Sequence, residues 1–344
     1  AGTVDFYLNG SASVKVALGS TAAADTEYGQ SSSASGYVCQ DAGCTTAAVT
    51  AATVGTTTTA ETGVGGAISA KGEVTVTSGS NIYNNTASVN GGAIFAESQV
   101  TVVNSAVSSN TATEGSGGAI STLAGVAVSD SSTVSGNTAE VNGGAISAAG
   151  EVTVSTSTLN SNTATEGSGG AISAEGKVTV SNSEFIENEA GNEGGAIYGE
   201  SEVIILKPSI PSEKTYFTEN SADFGGAIYA GASVSISDAN FEDNTAEEAG
   251  GAVFISTDSE EKSSISYSTF ESNYGGIGGG AIVGSSGKLV INSSDFINNT
   301  SLFFGGAVVH GGALEVNSST FTGNIASLAG TELREFRDEC AAQE

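Results

Sequence analysis

Short runs in which apolar and polar residues alternate recur along most of the chain. Examples are "EVTV" at 73–76 and 151–154, "KVTV" at 177–180 and "SVSISD" at 233–238. Alternation with β-branched residues is typical of β-strands, and the repeated part of the chain carries no 3.6-residue pattern. We therefore predict short strands, and not helices, through this part of the chain.

A Gly-Gly-Ala-Ile tetrapeptide, with Val in place of Ile in some copies, recurs at intervals of 25 to 31 residues. Self-similarity at such a period is typical of proteins built from stacked repeats. The copies begin at Gly65, Gly91, Gly117, Gly143, Gly169, Gly194, Gly225, Gly250, Gly279 and Gly305, and the second glycine of the first five is Gly66, Gly92, Gly118, Gly144 and Gly170. Because "TATEGSGGAIS" occurs identically at 111–121 and 163–173, we infer that a two-unit segment was duplicated in tandem.

Two further positions recur ahead of the glycine pairs. An Asn lies about six residues before the pair, and an apolar residue lies three positions before that Asn. The Asn series is Asn85, Asn110, Asn137, Asn162, Asn188, Asn220, Asn244, Asn273, Asn299 and Asn324. The apolar series is Ile82, Val107, Val134 and Leu159, followed by Phe185, Phe217, Phe241, Phe270, Phe296 and Phe321.

The length of the unit favours stacked coils over separate domains. At about 3.3 Å per residue, a 26-residue unit makes one lap of about 80 Å, which suits one coil of a solenoid. We predict an all-β, right-handed parallel β-helix of about ten coils of 25–31 residues, with three short strands in each coil. In such a stack the glycines turn with positive φ, the Phe rings lie over one another, and the Asn amides form a ladder at a corner.

The two ends of the chain lack the repeat. Residues 1–60 contain strand-like runs and are predicted to form an N-terminal β-rich cap, ahead of the β-helix at 61–327. Residues 328–344 form a predicted helix with Leu333, Phe336 and Cys340 on one face, which could cover the last coil or dock against a neighbouring subunit.

The cysteines indicate an oxidising compartment. Cys39 and Cys44 lie close together in "CQDAGC" and are predicted to close a small disulfide loop. Cys340 is then left over, either as a buried spectator or as part of an intermolecular bridge.

The two motifs together resemble a known repeat. The pairing of "FIEN" (185–188) with "GGAI" (194–197), repeated as "FTEN…GGAI", "FEDN…GGAV", "FESN…GGAI" and "FINN…GGAV", is similar to the repeat of the chlamydial polymorphic outer-membrane proteins. The resemblance covers about residues 60–330. It implies a β-helical passenger that an autotransporter displays at the cell surface and that acts in adhesion.

The charge of the chain restricts its partners. Nine basic residues against 38 acidic ones give a formal net charge of −29, which repels phosphate backbones and anionic lipid surfaces. We therefore expect no nucleic-acid partner. No stretch has the roughly 18–20 apolar residues that span a bilayer. The sequence starts at Ala1 without a charged and apolar leader, so we expect an extracellular or cell-surface protein whose signal peptide has been removed.

The sequence offers little for catalysis or for metal or cofactor binding. It contains two arginines, Arg334 and Arg337, and one histidine, His310, without a Ser-His-Asp set or a P-loop. We predict that the protein is not an enzyme and needs no cofactor or metal. One row of carboxylates at successive turns could either collect Ca²⁺ or form a solvated face; its members are Glu114, Glu140, Glu166, Glu193, Asp223 and Glu247.

Several surface features remain candidates for recognition. Outward hydroxyls of the alternating runs, such as Thr75, Thr101, Thr153 and Thr179, could form a ladder that binds ice. Asn-x-Ser/Thr sequons that could carry glycans occur at Asn9, Asn84, Asn292, Asn298 and Asn317. Two units are longer than most because they contain loops at 206–216 and 256–263. Solenoids often use such protruding loops for recognition.

These observations favour a non-catalytic structural or adhesive protein at a cell surface. Its expected partners are further copies of itself, joined head-to-tail or laterally into a fibre, or a host or cell-surface receptor or glycan. The alternatives are a β-helix that binds or degrades polysaccharide and, third, an ice-binding protein.

Overall fold

A computed structural model describes residues 63–207, 213–257 and 261–327, together with the backbone of four strands nearer the N-terminus. Of these four, Thr3–Leu8 pairs antiparallel with Ala12–Ala17. Thr46–Thr50 and Thr53–Gly55 pair parallel with the first described coil. The stack therefore already includes two strands from within residues 1–60, and the boundary of the N-terminal cap stays a prediction.

Each coil contains four strands, one more than the three that the sequence predicts. The first follows the glycine pair, the second is the alternating run, the third contains the apolar residue of the apolar-x-x-Asn segment, and the fourth follows the Asn. The fourth strand is as short as two residues, as in Thr86–Ala87, too short for alternation to reveal it. The three-strand coil is therefore wrong, whereas the all-β parallel solenoid of about ten coils is confirmed.

Strands at equivalent places in successive coils pair parallel and form four long sheets, numbered here in the order in which a coil visits them. Sheet 1 comprises Ile68–Ala70, Ile94–Ala96, Ile120–Thr122, Ile146–Ala148, Ile172–Ala174, Ile197–Gly199, Ile228–Ala230, Val253–Ile255, Ile282–Gly284 and Val308–His310. Sheet 2 comprises Thr46–Thr50, Glu73–Thr77, Val100–Val103, Val126–Ser129, Val152–Ser155, Val178–Ser181, Val203–Ile205, Val234–Ser237, Lys262–Ser266, Lys288–Asn292 and Ala313–Asn317.

The other two sheets complete each coil. Sheet 3 comprises Thr53–Gly55, Asn81–Tyr83, Ala106–Ser108, Thr133–Ser135, Thr158–Asn160, Glu184–Ile186, Thr215–Thr218, Ala239–Glu242, Thr269–Glu271, Asp295–Ile297 and Thr320–Thr322. Sheet 4 comprises Thr86–Ala87, Thr111–Ala112, Thr138–Ala139, Thr163–Ala164, Glu189–Ala190, Ser221–Phe224, Thr245–Ala249, Tyr274–Gly275, Thr300–Ser301 and Ile325–Ala326. No helix occurs within 63–207, 213–257 and 261–327.

The register places like residues over like. Val100 pairs with Val74 on one side and Val126 on the other, and Ile94 pairs with Ile68 and Ile120. These side chains are at most 1% exposed, because alternate residues of each strand face the interior. A single hydrophobic core therefore runs along the axis of the solenoid.

Tight corners hold the short strands together. The residue just before each Asn of the Asn series adopts a left-handed conformation, with φ between 52° and 69° from Asn84 to Gly323. Most of these residues are not glycine, so the conformation carries a steric cost that the neighbouring coils must offset. The regular corner keeps every coil in register with the next.

Candidate interaction surfaces

The Asn series forms a continuous buried amide ladder between sheets 3 and 4. Asn220 donates from Nδ2 to Asn244 Oδ1 at 2.9 Å and to the Phe185 carbonyl oxygen of the preceding coil at 3.0 Å. Its own Oδ1 accepts from both the backbone N and Nδ2 of Asn188, each at 3.0 Å. The same pattern repeats along the stack, with Nδ2–Oδ1 distances of 2.9 to 3.0 Å from Asn85 to Asn324.

The Phe series forms a stack of rings next to that ladder. The rings of Phe217, Phe241 and Phe270 lie 4.8 and 4.6 Å apart at their centroids, with interplanar angles of 3° and 0°. Phe185, Phe296 and Phe321 extend the same stack. Since an Asn amide binds the carbonyl oxygen of the Phe in the coil before, the two recurrent residues form one structural unit.

The glycine pair allows two different close contacts. The first glycine has positive φ in every copy, as with Gly65 at +67°, a conformation that side chains disfavour. A Cβ on the second would collide with the next coil: on Gly66 it would lie 2.3 Å from the Gly92 carbonyl oxygen. The same collision recurs between Gly92 and Gly118, Gly118 and Gly144, and Gly144 and Gly170. The motif glycines thus allow adjacent coils to approach each other closely.

A second polar ladder lies at the corner between sheets 2 and 3 and was not anticipated from the sequence. Ser183 Oγ accepts from the backbone N of Ser157 at 3.2 Å, and Ser294 Oγ accepts from the backbone N of Ser268 at 3.2 Å. These serines are buried, with 1 to 4% of their surface exposed. The signal in the sequence is a Ser two residues before the apolar residue in eight of the ten apolar-x-x-Asn segments, with Thr215 and Ala239 as the exceptions, and it is easily lost in a Ser-rich chain.

The predicted hydroxyl ladder on the outer face of sheet 2 is interrupted. Thr75 pairs with Thr101, but Thr101 then pairs with Ala127 before Thr153 resumes the row. Thr179 pairs with Ile204 in the following coil. An apolar residue thus breaks the array twice within six coils.

The predicted carboxylate row is also discontinuous. Glu166 lies beside Glu140, since its backbone N donates to the Glu140 carbonyl oxygen at 2.9 Å. Glu193, however, is bridged to Phe224, and its Oε2 accepts from Ser168 Oγ at 2.7 Å. Within the described residues there is no group of three or more His, Cys, Asp or Glu that could hold a metal ion.

The outer face of sheet 1 carries a set of side chains that the sequence analysis missed. The residue after each Gly-Gly-Ala-Ile lies on the outer side of the strand, and it is Ser in three successive coils at Ser121, Ser147 and Ser173. Ser121 and Ser173 are nevertheless only 7% and 9% exposed. The residue at this position then becomes large and apolar over the next five coils. We call these five residues the aromatic stripe: Tyr198, Tyr229, Phe254, Val283 and Val309.

The three rings of the aromatic stripe stack along the axis. Tyr198 and Tyr229 have centroids 5.4 Å apart, and Tyr229 and Phe254 have centroids 5.3 Å apart with an interplanar angle of 2°. Phe224, at the adjoining corner, meets Phe254 edge-on at 5.4 Å. Further along the same corner, Phe304 is 62% exposed.

Burial and carboxylates set the electrostatics of the stripe. Burial is the largest cause that raises the pKa of the Tyr198 hydroxyl, and the charges of Glu193 and Glu200 raise it further. Burial also raises the pKa of Tyr229, and Glu193 adds to this, while a hydrogen bond with the Ser256 side chain acts in the opposite direction. The stripe is therefore an apolar surface with an acidic margin.

The last described coil exposes residues that are buried in earlier coils. Phe321 is 44% exposed, whereas Phe296 directly beneath it is fully buried. Leu314 and Val316 are 46% and 42% exposed, whereas Leu289 and Ile291 beneath them are fully buried. A concavity of 420 Å³ lies at this end, lined by residues that include Leu314, Phe321 and Asn324.

Several predicted residues lie on the outer surface or outside the described residues. The sequon residues Asn84, Asn298 and Asn317 are exposed and Asn292 is half-buried, so glycan attachment there stays a prediction. Asn9, the Cys39–Cys44 disulfide, Cys340 and the helix at 328–344 lie outside the described residues, as do the tips of the two longer loops.

The geometry defines a repeat protein of the parallel β-solenoid class, whose recurrent Gly, Phe and Asn residues hold adjacent coils together. The repeat of the Chlamydia polymorphic membrane protein family matches the chain four times, at residues 79–97, 131–149, 182–200 and 214–231. The chain thus carries the repeat of this family, which confirms the resemblance seen in the sequence. No curated protein and no solved structure matches the chain.

These repeats and the solenoid fit a surface-associated structural or adhesive protein. Among the residues that the structure describes, none forms a helix with the length and apolar character needed to cross a membrane.

Proposed function

We propose that this chain is a non-catalytic rod that acts at a cell surface in adhesion, and that its side faces contact a receptor or glycan. The observation that carries the proposal is the division between interior and surface. The members of the Asn series between Asn188 and Asn299, and those of the Phe series between Phe185 and Phe296, are at most 1% exposed. The recurrent motif therefore builds the rod and is not offered to a ligand. Recognition then falls to outward residues, which differ from coil to coil.

Attachment of protein-coated beads to cultured epithelial cells tests this function. Beads that carry the full chain should attach, and soluble chain should compete with them. The control is a bead coated with an unrelated protein of similar net charge. A net charge of −29 repels anionic membranes, so the two kinds of bead must share this repulsion for their attachment to be compared. Attachment no greater than that of the control would contradict an adhesive function.

The finer proposal is that rods associate end to end. Support comes from the last described coil, where Leu314, Val316 and Phe321 leave core positions exposed and where, among the described residues, the strands pair on one side only. Analytical ultracentrifugation over a wide concentration range should reveal larger species, and Phe321→Glu should suppress them. A chain that stays monomeric at every concentration would contradict end-to-end association but not adhesion.

The alternatives receive less support. The hydroxyl rows of sheet 2 are broken by Ala127 and Ile204, whereas an ice-binding surface requires a regular array. Release of sugar fragments from a panel of polysaccharides would contradict the non-catalytic assignment, and thermal hysteresis would favour ice binding.

A further inference from the structure

The aromatic stripe differs from the other outer rows of the rod in its chemistry and continuity. Five successive coils place Tyr, Tyr, Phe, Val and Val at one outward position, whereas three preceding coils place Ser there. Ile277 and Phe304 add exposed apolar surface at the adjoining corner, with 47% and 62% of their area exposed. The stripe residues themselves are half-buried, and with Ile277 and Phe304 they form a contiguous apolar patch at the surface. Such a patch marks an interaction surface.

The orientation of the rings restricts the type of partner. Tyr229 is stacked between Tyr198 and Phe254, so both faces of its ring are already covered. A sugar that packs on an aromatic side chain needs a free ring face, and the stack offers edges. The surface is better suited to aliphatic side chains that insert between neighbouring residues of the stripe.

The two measured spacings between rings of the stripe are close to the pitch of an α-helix. The ring centroids are 5.4 and 5.3 Å apart, and an α-helix that lies along the axis repeats one turn every 5.4 Å. Side chains on one face of a partner β-strand would repeat at about 6.6–6.8 Å and lose register within a few coils. Five coils are separated by four steps of about 4.8 Å, which span about 19 Å, the length of a helix of roughly 13 residues.

The charged residues around the stripe restrict the net charge of the partner helix. The negative charges of Glu193 and Glu200 raise the pKa of Tyr198, and that of Glu193 also raises the pKa of Tyr229, so both carboxylates lie at the margin of the stripe. The ion pairs among the described residues involve Lys177, Lys207 and Lys288, which lie on or near sheet 2 and not at this margin. A second copy would set carboxylates against carboxylates, whereas a basic helix would neutralise them.

We propose that the aromatic stripe binds a basic amphipathic α-helix of another protein, parallel to the rod axis. An apolar face at i, i+3, i+4 and i+7 would contact Tyr198, Tyr229, Phe254, Val283 and Val309, with Lys or Arg beside Glu193 and Glu200. This deepens the proposed adhesive function, on which it rests, because it names the class of partner that one side face recognises.

Two synthetic peptides of about 18 residues test the inference with the full chain. Both contain the same number of Leu and Lys residues; one places Leu on a single helical face, and the other disperses it. Fluorescence anisotropy is measured near 0.15 M salt, where purely long-range attraction is screened. The facial peptide should bind at least about tenfold more tightly than the dispersed one.

The chain offers matched variants. The double variant Tyr229→Ser with Phe254→Ser introduces the residue that other coils carry at this position, Ser147 and Ser173, so the coils should still stack. Binding of the facial peptide to this variant should weaken by about tenfold or more. Phe95→Ser is the control, because Phe95 occupies the same outward position in an earlier coil but lies between Ser69 and Ser121, outside the stripe. This variant should leave peptide binding unchanged.

Each other outcome would overturn the inference. Equal binding of both peptides would indicate only electrostatic attraction, and equal binding by the stripe variant would place the site elsewhere. Glycan binding that the stripe variant loses would assign the stripe to sugars, and dimerisation that it loses would assign it to a second copy. Bead attachment that persists in the stripe variant, without peptide binding by the wild type, would remove this inference and leave adhesion in place.

Discussion

Replacement of Asn220 by Ala should locally disrupt the stack, because Asn220 joins three coils. The substitution removes the acceptor for the backbone N and Nδ2 of Asn188 and the donor to the Phe185 carbonyl oxygen. All three groups lie where water is excluded, since Asn188 and Phe185 are fully buried. Asn188 Nδ2 keeps its bond to the Leu159 carbonyl oxygen, so two groups lose the partner that Asn220 supplies. At about 1–3 kcal/mol for each of these two buried groups, the free energy of unfolding should fall by about 2–6 kcal/mol.

The assay has to resolve individual coils. Long repeat arrays do not unfold in two states, so a single denaturation midpoint would average over the stack. Hydrogen-exchange mass spectrometry should show lost protection centred on 184–190 and 215–224, with distant coils little changed. Asn160→Ala is the matched control, because Asn160 lies half-buried on the outer face of sheet 3 and should change stability by less than about 0.5 kcal/mol.

A second substitution at the same position separates hydrogen bonding from packing. Asn220→Asp keeps the shape but sets a carboxylate oxygen against the Phe185 carbonyl oxygen and Asn244 Oδ1, both of which now accept from Nδ2. Burial and this repulsion should raise the pKa of the new carboxyl, so its penalty should shrink as pH falls and the acid becomes a donor. Loss of less than about 1 kcal/mol in Asn220→Ala, or no pH dependence in Asn220→Asp, would refute the view that the ladder holds the coils together.

Three further predictions concern other parts of the rod. Phe241→Ala removes the middle of the ring stack and should cost about 3–5 kcal/mol in chemical denaturation, much more than Phe241→Leu. Gly226→Ala would place Cβ 2.2 Å from the carbonyl oxygen of the next coil and should prevent stacking, whereas Gly79→Ala meets open space and should cost only the left-handed strain of about 1–2 kcal/mol. Ultraviolet titration should show Tyr198 ionising above its usual range, because burial and nearby carboxylates raise its pKa; the stability it contributes is present below the unfolded pKa of about 10 and is lost as pH rises through the folded value.

The coil fold is readable from sequence because the same side chains recur at the same places. The period, the alternating runs and the Asn and Phe series all point to stacked strands, and the register of Phe217 over Phe185 follows directly. Sheet 4 was missed because eight of its ten strands, such as Thr86–Ala87, contain only two residues, which is too few to show alternation. Their existence depends on the Asn corner, which is a tertiary feature.

The outer surface is harder to predict for a physical reason. Whether Glu193 continues the carboxylate row depends on how the corner aligns in three dimensions, and the structure bridges it to Phe224 and not to Asp223. The stripe did leave a signal, since the residue after the tetrapeptide changes from Ser173 to Tyr198. That signal acquires meaning only when the position is known to face outward.

The change at Tyr198 coincides with a change in the interior. Coils with Ile, Val or Leu in the apolar series lie before Phe185, and the ring stack runs from Phe185 to Phe321. Apart from Phe95, the aromatic residues at the outward position of sheet 1 begin within one coil of that point, so the two halves of the rod differ both in core and in surface. Since stacked coils need only like residues at inward positions, the outward row can change in one half without any cost to the other. On the proposed function, recognition through this outward row therefore belongs to the coils from Tyr198 onward.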